Sequence, residues 1–69
     1  MTQSELQDLQ EKIADALKGR VASTEDLKKF VANRTIYPSQ YTQHALECLE
    51  ARGVISSSTS GGVTVWSLA

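Results

Sequence analysis

The segment from Ser39 to Leu68 constrains the fold more than any other part of the chain. It reads SQYTQHALECLEARGVISSSTSGGVTVWSL. Thr42, Leu46 and Leu49, with Ala45 beside them, recur at three- and four-residue steps and make one apolar line along a helix running from about Pro38 to Arg52. Gln40, Gln43, His44, Glu47 and Glu50 project away from that line. Gly53 ends the helix. Val54-Ile55 then opens one strand and Val63–Leu68 forms another. Ser57–Gly62 between them has the chemistry of a flexible hairpin loop. Period-two alternation sets Thr64, Trp66 and Leu68 on one face, with Leu68 expected to close the core and Trp66 to be partly covered. A helix leading straight into a hairpin has to share a core with it in so short a chain. With 69 residues, only about 60% of the unfolded surface is buried on folding.

The first half supplies the rest of that core. Thr2 with Glu5, and Ser4 with Gln7, both fit a capping box at the start of a helix. Leu6, Leu9, Ile13, Ala16 and Leu17 form its apolar stripe, and Lys18-Gly19 ends it. Arg20-Val21-Ala22 is a minimal strand. Ser23 caps a second helix in which Leu27, Phe30 and Val31 face inward and Lys28 and Lys29 face water, with Asn33 as its stop. Arg34–Pro38 is a turn, since proline fixes its own backbone and holds Tyr37 extended. Ile36 and Tyr37 are expected to close the angle between helices two and three. One α+β domain over residues 1–69 follows: three helices with a small antiparallel sheet, in the order α-β-α-α-β-β.

Composition excludes several function classes. The chain is 41% hydrophobic and 22% charged, a globular balance and not a disordered one. No apolar run approaches a membrane span and no signal architecture opens the chain, so no membrane partner and a cytoplasmic location are expected. Cys48 is the only cysteine and His44 the only histidine. They stand four apart on one helix, but they cannot complete a zinc set without further ligands. No nucleophile–base pair or phosphate-loop pattern appears, so neither an enzyme nor a bound cofactor is expected.

The order of elements, with Ala45–Ile55 as the passage from helix to hairpin and Val65-Trp66-Ser67-Leu68 as the close, resembles the winged helix-turn-helix superfamily across the whole chain. The resemblance implies a DNA-binding regulator that uses helix three and the wing. Gln40, Tyr41, Gln43, His44 and Glu47 would face the major groove, where glutamine pairs with adenine. Lys28 and Arg34 would hold the phosphates, and Ser58, Thr59 and Ser60 would offer wing hydroxyls.

Charge placement keeps a second class open. Residues 1–18 carry net −2, residues 19–38 net +2, residues 39–52 net −1, and the last 17 residues no charge. The front of helix three thus has no lysine or arginine, and duplex DNA is bound chiefly by phosphate neutralisation. The expected partner is double-stranded DNA, met as a monomer or homodimer. The alternative is a protein, bound by a winged helix acting as an adaptor, allosteric subunit or anti-regulator.

Overall fold

A computed structural model describes all residues, Met1–Ala69. The elements are α1 (Gln3–Ala16), β1 (Ala22–Ser23), α2 (Thr24–Arg34), a 3-10 turn (Ser39–Tyr41), α3 (Thr42–Ala51), β2 (Ile55–Ser60) and β3 (Val63–Leu68). They form a small α+β fold of three helices and one three-stranded antiparallel sheet with strand order β1-β3-β2.

Local chemistry sets the helix ends. Of the two capping boxes open to α1, the one at Thr2 forms: the Glu5 N–H donates to Thr2 Oγ1 at 3.2 Å, and the Thr2 N–H donates to Glu5 Oε1 at 2.9 Å. Ser23 Oγ accepts from the Asp26 N–H at 3.1 Å and starts α2. That helix runs through Asn33 to Arg34. It ends where the Thr35 hydroxyl takes the Val31 carbonyl at 2.6 Å and turns the chain extended. Pro38 is itself extended, with ψ 140°, so it precedes the third helix and does not begin it. Gln40 and Tyr41 consequently lie in the 3-10 turn ahead of α3.

Eleven apolar side chains make one core: Leu9, Ile13 and Leu17 from α1 and its end, Leu27 and Val31 from α2, Tyr37, Ala45, Leu46 and Leu49 from α3 and its approach, and Ile55 and Trp66 from the sheet. Tyr37 turns inward and its hydroxyl donates to Asp8 Oδ2 at 2.6 Å, tying the α2–α3 turn to α1. Ile36, expected beside it, is 89% exposed. Adjacent residues of an extended turn point to opposite sides, and only one of them can enter the core.

The hairpin differs from the sequence expectation in two ways. Ser57–Ser60 is not loop. β2 continues to Ser60 in unbroken register with β3, from Ile55↔Leu68 to Ser60↔Val63. The reversal takes just two residues, Gly61 and Gly62, with φ of 58° and 81°. That pair of left-handed residues fits the twist of a two-residue hairpin. Trp66 and Leu68 also exchange roles. Trp66 is the buried one, whereas Leu68 is 39% exposed. Small residues flank the indole, Ala22 on one side and Ser57 on the other, and Trp66 Nε1 donates to Thr24 Oγ1 at 2.8 Å. Leu68 is the last residue of β3, opposite Ile55 at the start of β2. Val21 stays outside the two-residue strand β1 and is exposed.

Candidate partner-binding surface

α3 buries Thr42, Ala45, Leu46 and Leu49, which leaves Gln43, His44, Glu47 and Glu50 exposed on its front, with Gln40 exposed just ahead of them. This front is already partly self-satisfied. The Gln43 amide donates to Glu47 Oε2 at 3.2 Å, and His44 Nε2 lies 3.8 Å from Cys48 Sγ. Tyr41 is half-buried and packs against the core, so its ring is less available than the sequence suggests. No group of three or more His, Cys, Asp or Glu side chains is close enough to hold a metal ion. No helix is long and apolar enough to cross a membrane.

The structure disperses the cations. Lys28 Nζ sits 3.7 Å from Glu25 Oε1. Arg52, at the end of α3, donates to the nearly buried Gln10 Oε1 at 2.7 Å, so it serves the α1–α3 contact. Arg34 opens into a cleft of about 670 Å³ with Lys12, Asp15, Ala16, Arg20 and Phe30. No residue of α3 or of the hairpin lines that cleft. Arg20 and Arg34 have neither a carboxylate partner nor a side-chain hydrogen bond. Sequence reasoning missed Arg20, because nothing local places it beside Arg34. Only the packing of the α1 end on α2 does so.

Ser58, Thr59 and Ser60 lie in β2. Thr59 Oγ1 is 3.1 Å from Thr64 Oγ1 across the hairpin. The Gly62 end of the turn lies beside Ser23, Thr24 and Glu25 at the start of α2. All six side chains of β2 are uncharged, and five of them are exposed.

β2 is an open edge. One side pairs with β3 and no strand pairs with the other. Its ladder phase follows from one bond: the Ala69 N–H donates to the Val54 carbonyl at 3.0 Å. Hydrogen-bonded positions alternate in an antiparallel pair, so the Val54 carbonyl and the backbones of Ser56, Ser58 and Ser60 bond toward β3, while the Val54 N–H donates to the Leu49 carbonyl at 3.0 Å. Ile55, Ser57 and Thr59 therefore turn their backbone N–H and C=O groups outward. Edge strands are commonly blunted by lysine, proline or a bulge. β2 has none of these. Beside it, the Ser57 hydroxyl donates to Glu50 Oε2 at 2.8 Å.

The shifted titrations lie elsewhere. The bond from Tyr37 holds the Asp8 carboxyl below its ordinary range, helped by Lys12, and the same bond pushes the Tyr37 hydroxyl up to about 12. Hydrogen bonds with Thr2, the backbone one first, lower Glu5. These groups hold the fold together, and none of them is on the α3 front or the β2 edge. No family model matches this chain, and neither a curated protein nor a solved structure proves similar to it.

Proposed function

We propose that this chain is a winged-helix protein-interaction module, and that it binds an extended segment of a partner protein along β2. The observation that supports this most is the open edge itself. It is a six-residue strand, uncharged and unbulged, whose outward donors and acceptors match those of an added strand. Strand addition of this kind draws affinity from main-chain hydrogen bonds and specificity from alternate side chains.

Duplex DNA is the second function, favoured by the contiguous exposed polar front of Gln40, Gln43 and His44. Against it stand Glu47 and Glu50 on the same helix, the neutral hairpin, and a cation pair that opens between α1 and α2. With few phosphates neutralised, any such binding is weak and shallow in its salt dependence.

Amide hydrogen exchange tests the proposal. In the free protein the Ser57 and Thr59 amides should exchange fast, while Ser56 and Ser58 should be protected. Adding a strand-forming peptide should protect Ser57 and Thr59. If they stay unprotected while a mixed-sequence duplex binds at micromolar concentration in a salt-sensitive manner, the DNA function replaces this one.

A further inference from the structure

If β2 accepts a strand, as proposed above and as the following inference requires, the side chains around it select which strand. Ser57 is the middle of the three outward-facing residues, and its hydroxyl is bonded to Glu50. The Glu50 carboxylate thus stands beside the centre of the edge, on the helix-bearing face of the sheet. Glu47 adds a second exposed carboxylate one turn earlier on α3. Neither has a cation within ion-pair distance, since the three ion pairs of the molecule join Lys12 to Asp8, Lys18 to Asp15 and Lys28 to Glu25. An incoming strand therefore meets negative charge on one flank and no charge along the edge.

That asymmetry separates two occupants. A second copy of the chain could pair β2 with β2 about a two-fold axis at Ser57, matching all three outward residues. Directly opposite residues in an antiparallel pair project to the same face about 5 Å apart. Self-pairing would therefore set the two Ser57 side chains, with the Glu50 carboxylates bonded to them, against each other. Like charges brought together in this way oppose association. A strand with a cation at the same position reverses the sign. We infer that β2 receives an extended segment of a different protein, with a lysine or arginine opposite Ser57 whose side chain reaches Glu50.

The test uses the full chain and three extended peptides that differ only in the residue set opposite Ser57, which is Lys, Gln or Glu. Affinity is read from amide shifts, and docking from protection of the Ser57 and Thr59 amides. The Lys peptide should bind about two- to fivefold tighter than the Gln peptide, the range for one cross-strand charge pair. The Glu peptide should be weakest. The preference should shrink as salt rises and vanish in Glu50→Gln, a change at an exposed position that leaves the core intact. Equal affinity of all three peptides, with Ser57 and Thr59 protected, would overturn the charge selection and leave edge docking standing. No protection by any peptide would remove the docking proposal itself. Sedimentation supplies the other arm. Glu50→Gln should self-associate more readily than the parent chain, and equal dimerisation of both would show that the carboxylates do not oppose self-pairing.

Discussion

Two adjacent proline substitutions in β2 should have opposite consequences, and the difference follows from the ladder phase alone. Ser58 sits opposite Val65 and bonds toward β3. Ser58→Pro deletes that donor and leaves a half-buried carbonyl on β3 unpaired. A lost ladder bond together with an orphaned acceptor costs about 2–3 kcal/mol. At roughly 0.05–0.15 kcal/mol per residue, a chain of 69 residues holds only about 3–10 kcal/mol in total. At ~4–8 °C per kcal/mol the melting temperature should fall by roughly 8–24 °C. Thr59 turns its N–H outward, where it bonds only to water, and proline is tolerated at such edge positions. Thr59→Pro should cost no more than about 1 kcal/mol, mostly from lost strand propensity and the exposed contact with Thr64. It should nevertheless abolish docking of a strand-forming peptide, because a proline cannot donate to the incoming strand. Thermal melts followed by circular dichroism, with peptide titration of whichever variant stays folded, decide the matter. If Thr59→Pro unfolds the chain as readily as Ser58→Pro, or more so, the assignment of outward and inward residues is wrong.

Four further outcomes are expected. Leu46→Ala, at a fully buried position of α3, should lose ~2–5 kcal/mol and leave the domain largely unfolded in chemical denaturation; a cooperative transition near that of the parent would contradict the core described above. Thr42 Oγ1 is buried with no hydrogen-bond partner, so Thr42→Val, similar in shape and apolar, should raise the melting temperature, and a lower one would mean that the hydroxyl is satisfied after all. The Tyr37–Asp8 bond should shape both ends of the pH profile. Asp8 has a lowered folded value, so its contribution is present above the ordinary aspartate range and is lost as pH falls through that lowered value. Tyr37 is raised, so its contribution is present below the ordinary value of 10.0 and is lost as pH climbs toward about 12. Tyr37→Phe should flatten both arms in pH-dependent melts, and an unchanged profile would show that the bond does not form in solution. If the α3 front does read DNA, Gln43→Ala should relax base preference at one position by ~1–3 kcal/mol in competition anisotropy, and an intact preference would remove Gln43 from base contact.

Much of this architecture is legible residue by residue. Thr2 with Glu5, and Ser23 with Asp26, mark the two helix starts because capping is local chemistry that spans one turn. The buried line of α3 follows from its period alone. The hairpin is less legible. Ser57–Ser60 has the composition of a loop and low strand propensity, yet it is strand. Pairing with β3 along an unbroken register outweighs that weak preference. Of the residues expected to meet a partner, Gln43 and His44 are exposed on α3 where the amphipathic pattern puts them, and Gln40 is exposed in the 3-10 turn ahead of it. Tyr41 is half-covered, and Arg34 opens away from α3 toward Arg20.

The sequence by itself determined which helix faces are apolar, which caps start α1 and α2, and that the last 17 residues are free of charge. Each of these rests on backbone sterics, hydrogen-bonding chemistry and periodicity within a few neighbouring residues. Tertiary structure alone decided that Trp66 and not Leu68 fills the core. Alternation puts both on one face, and only the packing of the whole core, with Thr24 receiving the indole N–H, fixes which of them is covered. It alone decided that β3 lies between β1 and β2, which leaves β2 as the open edge and brings Glu50 to the middle of it. Strand order and side-chain coverage depend on which surfaces can be buried together by the whole chain at once. No short window of sequence contains that information.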